Sequence, residues 1–257
     1  MTNSILSLYR VFFTDENHQL WAVMRDGRVV LMKNIPPFAT FSSDHTVITG
    51  VELNGIETHF LSTMANFQQQ KDQQIMIQNG YCYYPALWNT QHAQLAFLKA
   101  DLLSPHGTGE ILIYKKARTK FHLTDSFSAS MKPPFFSKTG ALYYIDTDSH
   151  LIKRIMKTNE SIYPLTTHFA LSPSEKEFAV YTQEVVRWCD FKMGELRQFI
   201  AFDVTALGFN ETGTLLFFAT HKSGRTGLYQ YDKFSQEITL VLNHSTRITN
   251  ISFKKIG

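Results

Sequence analysis

The stretch that decides the fold is TALGFNETGTLLFFATHKSGRTGLYQYDKFSQEITLVL, residues 205–242. Four apolar segments, TALGFN, TLLFFAT, LYQYDK and EITLVL, are separated by the polar or glycine-containing stretches ETG, HKSGRTG and FSQ. Side-chain alternation within such segments, with turn residues between them, is the signal of strands joined as hairpins. The stretch therefore predicts four antiparallel strands, which is the content of one propeller blade.

The opening of this stretch recurs along the chain as a large apolar residue, a small polar residue, a few turn residues and an apolar strand. Copies begin at Phe13, Phe41, Trp88, Phe136, Leu171, Phe209 and Phe253. From Phe41 onward the intervals average about 42 residues, close to the blade spacing of about 40–45 residues in known propellers. Phe13 lies too close to Phe41 to begin a blade, so we interpret it as an imperfect copy.

Five complete blades are predicted at about residues 37–79, 85–125, 134–165, 168–203 and 205–242. The N-terminal segments SLYRVFF, QLWAVMR and RVVLMK supply only three strands, and the C-terminal ITNISFKK, residues 248–255, supplies one. Joining them completes a first blade and removes exposed sheet edges. The sequence therefore predicts an all-β, six-bladed β-propeller with four antiparallel strands per blade. It would form a single domain over residues 1–257, with the C-terminal strand closing the first blade.

One segment fits no simple strand pattern. Residues 61–76, LSTMANFQQQKDQQIM, are rich in glutamine, and Phe60, Met64 and Phe67 have helical spacing. A short helix inserted in the second blade and a distorted pair of strands are both compatible with this segment, because it shows no alternation.

Three stretches carry a family resemblance: FSKTGALYYID from Phe136, LSPSEKEFAVYT from Leu171, and SGRTGLYQYD at residues 223–232. In these the chain resembles the TolB-like propeller repeats, relatives of the WD-repeat class. The family phrase is aromatic–Ser–Pro–Asp–Gly before an apolar strand, then a glycine-containing loop and Leu/Ile–Tyr–x–x–Asp. No copy has an intact Ser-Pro-Asp-Gly, and no Gly-His or Trp-Asp pair of the WD-repeat type occurs. The resemblance implies a propeller that acts mostly as a protein-binding platform. Some members of that class accompany hydrolase domains, and this sequence contains none.

Charge and hydropathy argue against a nucleic-acid-binding protein and against a membrane-spanning one. The net charge of +3 over 257 residues argues against the concentrated basic field of a nucleic-acid binder. The basic stretch YKKARTKFH, residues 114–122, is interpreted as two strand ends around a solvated turn. No apolar run reaches the roughly 20 residues that cross a bilayer.

The N-terminus has no basic leader region and is interrupted by Arg10, so we expect no signal peptide and a cytoplasmic protein, with export by another route left open.

The two cysteines, Cys82 and Cys189, are far apart in sequence and have no Cys or His at metal-ligand spacing. A disulfide between them is possible in principle. Two buried free thiols in a reducing compartment is the simpler interpretation.

Sequence motifs of catalysis are absent. There is no Gly-x-Ser-x-Gly, no phosphate-binding loop and no His-Glu-x-x-His. The predicted first strands of the blades contain neither Asp nor Glu, which argues against a pair of channel carboxylates that would hydrolyse glycosides. We therefore predict no catalytic, cofactor-binding or metal-binding residues, and favour a non-catalytic protein over an enzyme.

Candidate partner-binding residues come from loops. In a propeller the connections between blades and the loops between second and third strands share one face, and binding sites concentrate on such loops. This face is predicted to include residues 34–38, 101–109, 126–134, 221–227 and 244–249. The candidates for contact with a partner in these loops are His106, Lys132, His221 and Arg225.

The stretch YCYYPALW, residues Tyr81–Trp88, adds aromatic candidates at the predicted entry to the third blade. Tyrosine and tryptophan are enriched at interaction hot spots. The competing interpretation is that alternate members pack between blades. The aromatic candidates for partner contact are Tyr81, Tyr83, Tyr84 and Trp88.

Histidines provide the alternative function. Imidazoles bind metals or act as general bases, and six of them fall in predicted loops of the same face: His18, His106, His150, His168, His221 and His244. No His-x-His or His-x-x-x-His pair occurs, and we identify no carboxylate in local register with them. The main prediction is thus a protein-interaction platform. A metal- or ligand-binding propeller, enzymes included, and a subunit or effector of a larger bacterial assembly are the alternatives.

Overall fold

The computed structural model describes residues 9–35, 39–41, 43, 47–52, 55–60, 69–72, 81–88, 94–101, 108–117 and 120–252. Within these ranges the chain forms β-strands and no α-helix, which confirms the predicted all-β class. Nothing in these ranges therefore forms a helix that could span a membrane.

The first half of the chain contains β1 (Tyr9–Asp15), β2 (Gln19–Met24), β3 (Val29–Asn34), β4 (Thr40–Phe41), β5 (Val47–Glu52), β6 (Gly55–Phe60), β7 (Gln69–Asp72), β8 (Tyr81–Trp88), β9 (Gln94–Asp101), β10 (Thr108–Ala117), β11 (Lys120–Ser130) and β12 (Phe135–Phe136). The second half contains β13 (Leu142–Ile145), β14 (Leu151–Ile155), β15 (Thr158–Tyr163), β16 (His168–Leu171), β17 (Glu177–Thr182), β18 (Val185–Asp190), β19 (Gly194–Ile200), β20 (Val204–Phe209), β21 (Leu215–Lys222), β22 (Arg225–Asp232), β23 (Ile238–His244) and β24 (Ile248–Ser252).

The chain divides into two compact units. Unit 1 comprises Met1–Asn34 and Thr166–Gly257, and unit 2 comprises Ile35–Leu165. Each unit holds three antiparallel four-stranded sheets, which is the content expected of propeller blades. The single domain over residues 1–257 stays a prediction.

The sheets of unit 1 have the strand orders β24-β1-β2-β3, β16-β17-β18-β19 and β20-β21-β22-β23. The C-terminal strand β24 pairs antiparallel with β1, with Phe13 opposite Ile251 and Thr14 opposite Asn250. The predicted completion of the first sheet by the C-terminal segment is therefore confirmed. It gives β1 a partner on both sides, since β2 pairs with its other edge.

The sheets of unit 2 have the orders β4-β5-β6-β7, β11-β10-β9-β8 and β12-β13-β14-β15. The sheet predicted at residues 85–125 is longer than expected and spans β8 to β11, from Tyr81 to Ser130. The hairpin predicted at residues 114–122 is confirmed, because Ala117 pairs with Lys120. Within residues 61–76, β7 is a strand paired with β6, and the other residues of that segment lie outside the described ranges.

The repeated phrase of the sequence has a physical basis in the turn between the first and second strands of a sheet. In three copies, those from Phe136, Leu171 and Phe209, the small polar residue accepts backbone N–H groups across the turn with its side chain. Ser137 Oγ accepts from Ala141 at 3.0 Å, and Ser172 Oγ accepts from Glu177 at 3.1 Å. Asn210 Oδ1 accepts from Thr214 and Leu215, both at 2.9 Å. The phrase therefore encodes turn closure, as Ser and Asn side chains commonly do.

The cores of both units lie between adjacent sheets. In unit 1, Trp188 is fully buried and its ring lies 4.8 Å from that of Phe209 on the next sheet. In unit 2, the side chains of Ile111, Phe136 and Tyr144 belong to one buried cluster. Aromatic side chains supply much of this buried area, which explains their abundance in the sequence.

Both cysteines are buried and free, as the sequence predicts. Burial raises the pKa of the Cys82 thiol. Burial also raises the pKa of Cys189 to about 12, with a smaller contribution from the nearby Glu195 carboxylate. Neither thiol therefore forms the reactive thiolate at neutral pH.

Candidate functional site

In the three sheets of unit 1 the second and third strands are β1 and β2, β17 and β18, and β21 and β22. The turn between these two strands lies at the same end of its sheet as the connection to the next sheet, because antiparallel strands alternate in direction. We call this end the connection face of unit 1. It consists of the turns at residues 16–18, 183–184 and 223–224 and the connections at residues 201–203 and 245–247.

Backbone hydrogen bonds tie each connection to a turn. The Ala201 N–H donates to the Glu184 carbonyl at 3.0 Å, and the His221 N–H donates to the Asp203 carbonyl at 3.1 Å. The Glu16 N–H donates to the Arg247 carbonyl at 2.9 Å, and the Arg247 N–H donates to Glu16 Oε1 at 3.0 Å. The connection face is thus held in a defined conformation.

Two large apolar side chains are exposed on this face. Ile200 is 68% exposed at the end of β19, and Phe202 is 52% exposed in the following connection, whereas Ala201 between them is buried. The neighbouring β21–β22 turn carries Lys222 and Arg225, which are both exposed and pair directly opposite each other. The face therefore combines apolar side chains with a basic turn.

Asp15 lies beneath one edge of the face, and its carboxylate joins two segments distant in sequence. Oδ1 accepts the backbone N–H groups of Asn17 and Gln19, each at 3.0 Å. Oδ2 accepts Trp21 Nε1 at 3.0 Å and the Thr246 hydroxyl at 2.9 Å, and His244 Nε2 lies 3.3 Å away. This cluster, the Asp15 network, fixes the β1–β2 turn against the β23–β24 connection.

The Asp15 side chain has no exposure to solvent. Desolvation by itself raises the pKa of the carboxyl, but the hydrogen bonds from the Gln19 N–H, Trp21, Thr246 and His244 together outweigh it, so the pKa lies below its usual value. The His244 ring packs edge-on against Phe13 and Trp21, with centroids 5.2 and 5.0 Å away. These groups are satisfied within the protein, which assigns the network a structural role.

Two predicted binding residues, His221 and Arg225, lie on the connection face of unit 1. They belong to strand ends, however, and not to a long loop, since β21 extends to Lys222 and β22 begins at Arg225. His221 Nδ1 lies 2.7 Å from the Thr226 hydroxyl, so this imidazole braces its own hairpin. Arg225 is exposed to solvent, so a partner could reach its side chain.

The aromatic candidates lie in unit 2 on β8, which is the first strand of its sheet and so the entry to it, because all of Tyr81–Trp88 forms this strand. Tyr83 is buried and meets Phe97 edge to face, and Tyr84 is partly buried against the core. Burial also raises the pKa of Tyr84. Tyr81 is exposed, with Lys99 Nζ 4.1 Å from its ring centroid. The side chain of Trp88 lies outside the description.

The last two predicted residues also belong to unit 2. Lys132 is half-buried in the connection between β11 and β12, and His106 lies outside the described residues. The predicted loop at residues 126–134 is shorter than expected, because β11 continues to Ser130. Of the predicted residues with described side chains, Tyr81 and Arg225 are the exposed ones. The predicted residues are thus divided between the two units, and their role in binding stays a prediction.

A carboxylate–imidazole group in unit 2 was missed in the sequence. Asp146, Asp148 and His150 occupy the turn between β13 and β14, and their potential ligand atoms all lie within 4.8 Å of one another. The expectation that no carboxylate lies in register with a histidine is therefore wrong, because D-x-D-x-H places three side chains on one turn. Asp146 Oδ1 also accepts the N–H groups of Asp148 at 3.0 Å and His150 at 2.8 Å, which closes the turn.

No family model matches the sequence, and no curated protein does. Among solved structures, TolB from Acinetobacter baumannii is similar with a TM-score of 0.70 and 14% identity, over 95% of this chain and 66% of that one. The protein in a nidogen/laminin complex is similar with a TM-score of 0.66 and 10% identity, over 95% and 97% of the two chains. A protein of unknown function from Bacteroides caccae has a TM-score of 0.59 and 10% identity, over 95% and 98%.

These comparisons bear on fold. The chain is a β-propeller built from four-stranded sheets, and its resemblance to TolB-like propellers is confirmed. It spans 66% of the length of the TolB structure. Because propellers with identities this low serve unrelated functions, the likeness describes architecture alone.

Proposed function

We propose that this chain is a non-catalytic platform that binds a protein partner on the connection face of unit 1. The observation that carries the proposal is the exposure of Ile200 and Phe202, two residues apart, on that face. Large apolar side chains surrounded by polar residues are typical of interaction hot spots. The backbone hydrogen bonds of the face support the proposal, because a preorganised surface loses little entropy on binding.

The charges beside these apolar residues indicate what kind of surface the partner presents. Lys222 and Arg225 are directly opposite each other in the hairpin, and like charges in this arrangement destabilise a sheet. Carboxylates from a partner would relieve that repulsion and add electrostatic complementarity. The partner is therefore inferred to present an apolar anchor bordered by acidic residues.

We also propose that the propeller has six blades. Each four-stranded sheet is taken as one blade, which makes six, in keeping with the spacing of the repeated phrase. Limited proteolysis tests this assignment, since cleavage would concentrate between blades. Rapid cleavage inside β17 or β21 would contradict it.

The platform is tested by affinity capture from cells that express the chain, followed by binding of the isolated partner in purified form. Phe202→Ser and Arg225→Glu should each weaken binding of that partner at least about tenfold, as hot-spot substitutions do. Phe234→Ser is the matched control, since Phe234 is 76% exposed in the β22–β23 turn at the opposite ends of the strands. Equal affinities for all three variants would refute the connection face as the binding surface.

A second function, cation binding, is favoured by Asp146, Asp148 and His150. In the corresponding turn of unit 1, Asp15 is equivalent to Asp146 and accepts the N–H groups of Asn17 and Gln19 in the same way. Asn17 and Gln19 stand where Asp148 and His150 stand in unit 2, so closing the turn does not require the side chains of Asp148 and His150. Carboxylate and imidazole ligands together suit divalent cations such as Zn²⁺ or Mn²⁺.

Titration calorimetry with Zn²⁺ and with Mn²⁺ tests this second function. Binding should be lost in His150→Ala and in Asp148→Asn. His18→Ala is the matched control, because His18 lies in the equivalent turn of unit 1. Identical heats for wild type and His150→Ala would exclude the site.

A further inference from the structure

The outer strand β3 has an unusual surface. It is the edge of the sheet β24-β1-β2-β3, and Val29, Val30 and Leu31 are all exposed. Among the outer strands whose side chains are described, no other has three consecutive exposed apolar residues. Sheet edges of this kind pair readily with a further strand unless charge or proline blocks them.

The hydrogen-bond register identifies the backbone groups that face outward. The Met24 N–H donates to the Arg28 carbonyl at 2.8 Å, and Ala22 lies opposite Val30. Because hydrogen-bonded and non-hydrogen-bonded pairs alternate in an antiparallel ladder, Val30 bonds to β2, whereas Val29 and Leu31 direct their N–H and C=O groups away from it. Two donors and two acceptors are therefore presented at the edge.

Charge distinguishes the possible occupants of this edge. Exposed Arg25 and Arg28 stand at its beginning, and Asp26 offsets one of them through a 2.7 Å ion pair with Arg28. In an antiparallel self-pair centred on Val30 or Leu31, Arg28 of one copy would lie opposite Met32 or Asn34 of the other, and neither of these residues is acidic. A second copy of this chain would therefore bring no carboxylate to Arg28. A segment with carboxylates at one end is complementary.

We propose that β3 binds an extended segment of a protein partner as an added strand. The segment alternates apolar and small polar residues and carries acidic residues at the end beside Arg25 and Arg28. Backbone hydrogen bonds to Val29 and Leu31 supply affinity, and the arginines fix the orientation. This inference rests on the proposed role as an interaction platform and places a second contact surface on the same unit.

The test uses purified full-length chain and a fluorescent synthetic peptide with an acidic end followed by alternating valine and threonine. Fluorescence anisotropy measures binding. Leu31→Pro removes an outward donor while leaving the β2–β3 ladder intact, as proline at an edge position does. It should weaken binding about tenfold or more, since backbone hydrogen bonds are lost and the ring obstructs pairing.

Leu240→Pro is the matched control. Leu240 is 46% exposed and Leu31 is 45% exposed, and Leu240 also faces outward from an outer strand, β23. The Asp232 N–H donates to the Glu237 carbonyl, which places Leu240, opposite Tyr229, in a non-hydrogen-bonded pair. This control should bind the peptide like wild type. Equal weakening in both variants would overturn the proposal.

Two further measurements test the role of charge and whether a second copy of the chain occupies β3. A peptide with lysine replacing its acidic residues should bind at least about tenfold more weakly, and Arg28→Glu should reverse that preference. Concentration-dependent dimerisation lost in Leu31→Pro, with no peptide binding, would show that a second copy occupies the edge and would overturn the proposal. Because the peptide assay does not involve Phe202, failure at β3 and failure of the connection face are distinguishable.

Discussion

Removing the Asp15 carboxylate should strongly destabilise the protein. In Asp15→Ala, the Asn17 N–H and the Thr246 hydroxyl can turn to water, because Asn17 is exposed and Thr246 is half-buried. The Trp21 Nε1–H and the Gln19 N–H point at the Asp15 carboxylate, which is fully buried, and they lose that acceptor. At about 1–3 kcal/mol for each unsatisfied group, we expect a loss of about 3 kcal/mol. For a chain of this size that corresponds to a fall in Tm of about 10 °C.

Thermal unfolding followed by circular dichroism measures this effect. Asp26→Ala is the matched control, because Asp26 also closes a turn of the same sheet through the Arg28 N–H but is exposed. It should leave Tm almost unchanged. Asp15→Asn should lie between the two, since the amide keeps one acceptor for the turn. Equal Tm values for Asp15→Ala and Asp26→Ala would refute the assignment of the network to fold stability.

The effect of Asp15 should also depend on pH in a defined direction. Its pKa is lowered in the folded protein, so the folded state favours the carboxylate more than the unfolded state does. The stabilisation is therefore complete above the ordinary carboxyl pKa of about 4 and is lost as pH falls through the folded pKa. The Tm difference between wild type and Asp15→Ala should be constant near neutrality and narrow in acid. A difference that widens below pH 4 would contradict the sign.

Three further predictions concern the closure of unit 1 and its thiol. Deleting residues 248–257 should lower Tm by more than 10 °C, because it unpairs β1 and removes buried Ile248 and Ile251; an unchanged Tm would show that β24 does not complete the sheet. Gly208→Ala should cost about 1–3 kcal/mol in urea unfolding, because a Cβ there would lie 2.8 Å from Ile251 Cγ2 and 2.9 Å from the Ile251 carbonyl; unaltered unfolding would contradict this packing. Cys189, with its pKa near 12, should resist Ellman's reagent at pH 8 until urea unfolds the chain, and rapid labelling of the folded protein would contradict its burial.

The positions of the sheets were predictable because their turns are closed locally. Ser172 and Asn210 each bond to backbone groups within five residues, so the sequence itself carries the turn chemistry at the beginning of these two sheets. The pairing of β24 with β1 was also predictable, since three strands at one terminus and one at the other leave a single economical solution. Both inferences depend on short-range signals and on strand counting.

Burial was harder to predict than strand position. Sheets in a propeller are covered on both faces by neighbouring sheets, so a strand such as β8 loses the alternation that would separate exposed from buried residues. Tyr81 is exposed and Tyr83 is buried, although they are two residues apart and would share a face. The difference arises because Tyr83 meets Phe97 and Tyr81 lies at the strand end, which composition does not reveal.

The candidate site shows the same limit. The stretch FIAFD, residues 199–203, has the composition of a buried strand, yet Ile200 and Phe202 are exposed while Ala201 is buried. Their exposure follows from the end of β19 at Ile200 and the turn into β20, which no local motif marks. The D-x-D-x-H turn, by contrast, was visible at residues 146–150 and could have been found by searching for carboxylates as well as histidine pairs.

The Asp15 network and the apolar pair occupy separate parts of the connection face, and this separation makes the function testable. Asp15 holds His244 at the end of β23 and Thr246 in the following connection, whereas Phe202 lies in the connection tied to Glu184 and His221. A partner that binds at Phe202 should therefore tolerate Asp15→Asn at temperatures where that variant remains folded. Stability and recognition then rest on different residues, because the network satisfies its own hydrogen bonds and the exposed pair of Ile200 and Phe202 leaves apolar area for a partner.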